Sequence, residues 1–310
     1  MDIIMNMLKE FEKEYKRKPQ LIMSSPGRLD FLNTHQDYKG LPVVSIGINL
    51  RSYTVISKRS DNKCRIISLN LKSENVEYYD EFDLDKIDLR NGKWFGNYLR
   101  AGLKIILKSG YNINGFNAMI FSNIPIGGGL GSSAAFTVSF ISAINELFNL
   151  NIVKKEIAEI AYLAEHDIMR IPCGRLDQYG SAFGGIIKIE TVPPYRVEEI
   201  PFKEGVFAVL DSGIRHSTAD IHPKRQEDIN RGLEILLNMP DLSEKIKQNL
   251  GKKYYEPKWE KLHEKELIQY LERIPTNFRN RILFTIREHR STELALNIMK
   301  GIIPEISTII

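Results

Sequence analysis

The stretch SNIPIGGGLGSSAAF, residues 122–136, places four glycines and a pair of serines between a proline and an apolar run. The segment GFNAMIFSN just before it predicts a strand, and the apolar residues after it predict a helix that begins near Ser132. The first N–H groups of a helix attract anions, and glycines let the backbone approach phosphate oxygens closely. The stretch therefore predicts a phosphate-binding loop. The alternative is a tight turn in which Ser132 only caps the helix.

Composition limits the classes of protein and partner. The 310 residues are 43% hydrophobic and 26% charged with a net charge of +4, which is typical of a globular protein long enough for two domains. Basic and acidic residues are interleaved, so no nucleic-acid partner is indicated. Two cysteines, no signal-peptide core and no membrane-spanning apolar run predict a cytoplasmic protein without a membrane partner.

The order of strand-like and helix-like segments predicts an α/β protein. An opening helix is expected at 2–17, separate strands at 43–50 and 52–59, and a helix at 95–109. A further strand is expected at 205–211, and the chain reads as almost wholly helical from about residue 220. Prolines and a change in composition near 195–205 predict two domains, at residues 1–200 and 201–310.

Four stretches match, in chain order, the motifs of one family. They are PGRLDFLNTHQDYKGLPVV at 26–44, PIGGGLGSSAA at 125–135, AEHDIMRIPCGRLDQYGSAFGG at 164–185 and DSGIRHSTAD at 211–220. Together they resemble the GHMP kinases, and within them the galactokinase branch. The resemblance implies a mixed α/β (α+β) GHMP kinase fold. Its N-terminal domain would be of the ribosomal-S5-domain-2-like type, and its C-terminal domain would be ferredoxin-like and here incomplete.

The resemblance also implies an activity and its cofactors. It implies an ATP-dependent sugar 1-kinase that uses Mg²⁺ and phosphorylates the anomeric hydroxyl of galactose or a related monosaccharide. Asp177 matches the catalytic carboxylate that accepts the hydroxyl proton, and Arg28 matches the arginine beside it. The alternative for these two residues is an ordinary surface ion pair.

Further residues take roles from the same motifs. Tyr98 matches an adenine-pocket tyrosine, although it could be a core aromatic residue. Ser133 and Glu165 match the metal-binding hydroxyl and carboxylate, although Glu165 could be an ordinary helix glutamate. The phosphate-binding residues are Gly127, Gly128, Gly129, Leu130, Gly131, Ser132 and Ser133.

The sugar-contacting residues implied by the resemblance are Thr34, His35, Asp37, Gly174 and Asp177. Carboxylates suit sugar hydroxyls because each oxygen can accept a hydrogen bond. Thr34 stands where the family has a glutamate, so the sugar stays open between galactose, another hexose, a pentose and a sugar acid.

The end of the sequence departs from the family, because the third glycine-rich motif of galactokinases has no match here. This predicts a complementing C-terminal segment as a partner and an apolar stripe over 276–300 that is partly exposed. Two other functions stay open: a kinase of another GHMP branch, such as a mevalonate- or homoserine-type enzyme, and a non-catalytic sugar or nucleotide sensor.

Overall fold

The computed structural model describes residues 3–92, 94–201, 206–210 and 218–303. Most of the DSGIRHSTAD stretch, residues 211–217, lies outside the described residues. The chain divides into two compact units, which are Met1–Leu29 with Ile46–Gly185, and Asp30–Ser45 with Ile186–Ile310. Along the chain, the assignment changes from one unit to the other at residues 29–30, 45–46 and 185–186. The domain boundary expected at residue 200 stays a prediction.

A mixed sheet forms the base of the first unit. Its strands follow the order β4-β3-β5-β2, and β1 pairs with β2. β3 runs parallel to β5 and antiparallel to β4, while β2 runs antiparallel to β5. The strands are β1 (Leu21–Leu32), β2 (Val43–Lys58), β3 (Lys63–Ser68), β4 (Tyr79–Asp83) and β5 (Phe116–Ser122).

The described residues of the first unit form six helices. They are α1 (Ile3–Tyr15), α2 (Leu69–Ser73), α3 (Gly96–Lys108), α4 (Ser132–Phe148), α5 (Lys154–Leu163) and α6 (Leu176–Phe183). A π-helical turn, Ala164–Ile168, follows α5. α4 is apolar on most of its surface and is largely buried, because it packs against α3, α5, α6 and β5 at once. The buried helix holds the glycine loop at its N-terminus in place.

The described residues of the second unit form two short strands and four helices. They are β6 (Ile186–Ile189), β7 (Val197–Glu199), α7 (Thr218–Leu237), α8 (Glu244–Lys247), α9 (Glu264–Leu271) and α10 (Thr276–Met299). β6 and β7 pair antiparallel, and short 3₁₀ turns cover Asp37–Lys39 and Trp259–Lys261. α10 packs against α7 and α9 around a core that includes Leu233, Trp259 and Leu271. The ferredoxin-like character of this part stays a prediction.

Two expectations about strands are wrong, and one about α10 holds. Residues 206–210 form no strand, and Val206 and Leu210 are exposed, so their side chains have no sheet to pack on. The strands expected at 43–50 and 52–59 are one strand, β2, because Arg51 continues it and donates hydrogen bonds to Ser24 of β1. The apolar residues of α10 are buried only in part, as the sequence predicted: Ile282, Leu283, Ile286 and Leu296 are at most 7% exposed, whereas Leu294 is partly exposed and Phe284 is 48% exposed.

None of the helices in the described residues has the length and hydrophobicity needed to cross a lipid bilayer.

Candidate functional site

The loop between β5 and α4 has an alternating backbone conformation. Gly127, Gly129 and Gly131 have φ angles of +72°, +70° and +68°. Alternation between left- and right-handed residues turns successive N–H groups toward one concavity, which favours an anion. Gly131 occupies the N-cap position of α4 and Ser132 is its first residue. The alternative in which Ser132 caps the helix is therefore wrong.

Strand β1 contacts this loop directly through its backbone. The backbone N–H of Arg28 donates to the carbonyl oxygen of Leu130 at 2.9 Å. A Cβ atom at Gly27 would lie 2.8 Å from the same oxygen, which is closer than real Cβ atoms approach. The glycine at position 27 therefore allows the strand and the loop to come into direct contact.

We expect Gly131→Ala to destabilise the fold more than Gly110→Ala. Both glycines have positive φ angles, +68° and +85°, so each alanine should cost about 1–2 kcal/mol in backbone strain. A Cβ at position 131 would also lie 3.1 Å from Cγ of Arg28, whereas nothing lies within 4 Å at position 110. Urea denaturation of both variants measures the difference, and equal losses of unfolding free energy would contradict the tight packing at Gly131.

Arg28 joins the glycine loop to an acidic residue on α6. Its Nε and Nη2 atoms donate to Oδ1 of Asp177 at 3.0 and 2.5 Å, and its Nη1 atom donates to the carbonyl oxygen of Gly129 at 2.5 Å. Arg28 is 8% exposed, while the side chain of Asp177 is 35% exposed. The arginine is thus held in place from both sides, and the carboxylate keeps one side open to solvent.

A cavity of about 380 Å³ lies above the loop in the first unit. Most of the residues that the sequence placed at the phosphates, the adenine and the reacting hydroxyl line it, but Gly128 does not. The lining members of that set are Arg28, Tyr98, Gly127, Gly129, Leu130, Gly131, Ser132, Ser133 and Asp177.

The rest of the cavity wall includes residues that the sequence did not indicate. Phe95, Phe136 and Ile124 make part of the wall apolar, which suits a flat aromatic ring. Asn70 and Ser122 also line it, and the Asn70 side chain exchanges two hydrogen bonds with the Ser122 backbone at 2.8 and 2.9 Å. Phe95 could have been found from its spacing of three residues to Tyr98. The contact between Asn70 and Ser122 could not be predicted from the local sequence, because 52 residues separate the two partners.

Glu165 lies in the π-helical turn after α5. The N–H of Met169 bonds to the carbonyl oxygen of Ala164, five residues earlier, at 3.0 Å. Glu165 is 4% exposed, and its carboxylate accepts from Oγ of Ser133 at 3.4 Å and from Nε2 of Gln178 at 3.2 Å. Burial raises the pKa of Glu165 to about 7, and the hydrogen bond from Gln178 opposes this rise.

The donor atoms around Glu165 fit one kind of cation. Within the described parts of the chain, no group of three or more His, Cys, Asp or Glu side chains could hold a metal ion by itself. A hydroxyl and a carboxylate are hard oxygen donors, and Mg²⁺ is commonly held by one or two such groups together with waters and substrate phosphates. Ser133 and Glu165 therefore fit Mg²⁺ better than a metal that needs a complete protein ligand set.

The residues implied for the sugar belong to two parts of the chain. Thr34, His35 and Asp37 lie in the second unit and are partly buried, and His35 has a φ angle of +60°. Gly174 lies in the first unit, is exposed and precedes α6. Among all the predicted site residues, the clearest cluster is therefore Arg28 and Asp177 beside the glycine loop, with Ser133 next to Glu165.

Comparison with known proteins identifies the class to which this fold and loop belong. The family described as GHMP kinases N terminal domain matches residues 97–185, which run from α3 through the glycine loop to the end of α6. The galactokinase galactose-binding signature matches residues 9–58, which include β1 and β2. The chain thus carries the N-terminal domain of the GHMP kinases together with the galactokinase signature, and by these matches and the relatives that follow it is similar to the galactokinase-like branch of that class.

Those relatives are galactokinases. The galactokinase of Pyrococcus furiosus is 30% identical over 237 residues, which are 75% of this chain and 64% of the relative. The galactokinase of Clostridium acetobutylicum is 36% identical over 186 residues, which are 59% of this chain and 47% of the relative. The chain therefore spans about half to two thirds of the length of these curated relatives.

A solved structure supports the fold. The crystal structure of Lactococcus lactis galactokinase complexed with galactose matches with a TM-score of 0.72 and 20% identity. The match covers 96% of this chain and 75% of that chain. The mixed α/β GHMP kinase fold expected from the sequence is confirmed.

Proposed function

We propose that this chain acts as an ATP-dependent sugar 1-kinase that phosphorylates the anomeric hydroxyl of galactose or a related monosaccharide. The observation that carries the proposal is the Arg28–Asp177 pair, which lies in the same cavity as the glycine loop. Phosphoryl transfer needs the phosphates held in place, their charge neutralised and a group that orients the attacking hydroxyl. A phosphate cradle, a buried cation and an open carboxylate meet these three needs.

Each residue has a proposed role in this reaction. N–H groups of the loop and of the first turn of α4 bind the ATP phosphates, and the apolar wall with Tyr98 covers the adenine. Arg28 stabilises negative charge on the transferred phosphoryl group, and Asp177 orients the sugar hydroxyl and accepts its proton. Ser133 and Glu165 hold Mg²⁺, which neutralises phosphate charge when it is bound.

Thr34, His35, Asp37 and Gly174 are proposed as sugar contacts, together with Asp177. The support is the galactokinase galactose-binding signature over residues 9–58, which contains the first three of them. A side-chain carboxylate accepts hydrogen bonds from sugar hydroxyls, and partly exposed Asp37 has that chemistry.

The proposal is tested by measuring ADP formation from ATP and Mg²⁺ with a panel of hexoses, pentoses and sugar acids, using the 310-residue chain. The expected result is turnover that depends on one monosaccharide, with the phosphate found at the anomeric carbon by NMR. Phosphorylation of mevalonate or homoserine instead would favour another GHMP branch. Binding of ATP and sugar without any turnover would contradict the proposed kinase activity and favour a non-catalytic sensor.

We expect Thr34→Glu to shift the sugar preference toward galactose. A carboxylate at this position restores a charged acceptor, and hydrogen bonds to charged groups contribute roughly 1.5–3 kcal/mol. The measurement is the ratio of kcat/KM for galactose to kcat/KM for the sugar that the unmodified protein prefers, and we expect it to rise at least tenfold. Because both sugars are measured on one variant, a general loss of activity cancels. An unchanged ratio would mean that position 34 does not set selectivity.

A further inference from the structure

The loop of residues 33–40 buries every third side chain. Asn33, Gln36 and Lys39 are 0%, 0% and 4% exposed, whereas Thr34 and Asp37 between them are partly exposed. The Gln36 N–H bonds to the Asn33 carbonyl oxygen at 3.1 Å, and the Lys39 N–H bonds to the Gln36 carbonyl oxygen at 2.9 Å. In such 3₁₀-type turns, side chains three positions apart lie on the same side. The loop therefore has an inner polar face and an outer face.

The inner face contacts helix α10 of the same unit. The Lys39 ammonium donates to Oε1 of Gln36 at 2.9 Å and to Oγ1 of Thr285 at 2.7 Å. Nδ2 of Asn33 lies 3.5 Å from Nδ1 of His289, one helical turn after Thr285. We call these five residues the polar seam: Asn33, Gln36, Lys39, Thr285 and His289.

The polar seam is costly for stability. Both oxygens that accept from Lys39 are uncharged, and burial lowers the pKa of Lys39 to about 7. Oδ1 of Asn33 and Nε2 of Gln36 are buried and have no hydrogen-bond partner in the described part of the chain. Apolar side chains would stabilise such a contact better, whereas directional hydrogen bonds select one arrangement of the loop on the helix. This composition indicates a role in positioning.

We propose that the polar seam positions the outer face of the loop for the sugar, and that Lys39 and Thr285 are positioning residues for sugar binding. The inference rests on the proposed function, in which Thr34, His35 and Asp37 contact the sugar. The inner and outer side chains share one hydrogen-bonded backbone, so a shift of the inner side chains moves the outer ones. A displacement of about 1 Å of a binding group can reduce activity roughly 100-fold.

The test replaces the seam groups by apolar groups of similar shape. Lys39→Met and Thr285→Val are each expected to raise the sugar KM at least tenfold and to leave the ATP KM within twofold. Thr285→Ser keeps the hydroxyl and should restore the parent sugar KM. Sugar affinity measured by calorimetry should change in the same direction as the sugar KM.

The matched control is Lys188→Met. Lys188 also contacts α10, through Glu293 at 3.2 Å, but lies outside the loop. The sugar KM of the Lys188→Met variant should equal that of the parent protein. The inference is overturned if Lys39→Met and Thr285→Val keep the parent sugar KM, or if Lys188→Met raises it equally. Absence of both sugar turnover and sugar binding in the parent protein would overturn the proposed function first and this inference with it.

Discussion

Asp177→Asn is expected to lower the rate of sugar phosphorylation by about 10²–10⁴-fold, because the amide cannot accept the hydroxyl proton. The change keeps the shape of the side chain, and its oxygen can still accept from Nε and Nη2 of Arg28, as Oδ1 of Asp177 does at 3.0 and 2.5 Å. Binding of ATP should therefore stay within about twofold. Single-turnover kinetics with saturating ATP and sugar measures the chemical step, and calorimetry measures nucleotide binding.

The matched control for this variant is Asp61→Asn. Asp61 also accepts two hydrogen bonds from an arginine, Arg59, at 2.7 and 2.6 Å, but it lies in the turn between β2 and β3 and does not line the cavity. Its turnover should equal that of the parent protein. If Asp177→Asn phosphorylated sugar at the parent rate, Asp177 would not be the group that accepts the proton.

Arg28→Met is expected to reduce turnover by roughly 10²–10³-fold, which is the usual cost of removing one preorganised donor from a developing negative charge. The variant also loses the hydrogen bond to the carbonyl oxygen of Gly129, so the loop should bind ATP more weakly. Arg28→Lys keeps the charge but not the planar fork that reaches Asp177 and Gly129 together. We expect the lysine variant to fall between the methionine variant and the parent protein, in both turnover and ATP affinity.

Arg51→Met provides the comparison. Arg51 lies on β2, and its guanidinium donates to the side chain and the carbonyl oxygen of Ser24 at 3.0 and 3.1 Å. Removing it should cost some stability and leave ATP binding and turnover intact. Equal losses of turnover in Arg28→Met and Arg51→Met would mean that the effect of Arg28 comes from general destabilisation of the sheet.

Much of the local structure around the loop could be predicted from the sequence. The strand before the glycines and the helix that begins at Ser132 are present as β5 and α4. Positive φ angles at alternate glycines are a property of the residue type, so a glycine-rich turn is visible in a single stretch. Motif matching also brought Arg28 and Asp177 into one hypothesis, although their catalytic roles stay proposals.

The contacts of the site could not be predicted in the same way. Arg28 and Asp177 lie 149 residues apart in the sequence, and their hydrogen bond forms only because the fold brings a residue of β1 and a residue of α6 together. Phe95, Phe136 and Asn70 line the cavity because separate elements meet there. The strand expected at 205–211 was read from apolar residues that the structure leaves exposed at 206–210, since an apolar pattern does not by itself supply a partner strand.

The sequence by itself determined the class of the fold and the position of the glycine loop, because backbone freedom at glycine and helical periodicity act over a few neighbouring residues. Only the tertiary structure decided which polar groups became buried. In the stretch NTHQDYK, residues 33–39, the residue types do not show which side chains are buried. Asn33, Gln36 and Lys39 are buried, whereas Thr34 and Asp37 are partly exposed. Helix α10 determines which side of the loop is buried, because its Thr285 hydroxyl accepts a hydrogen bond from the Lys39 ammonium.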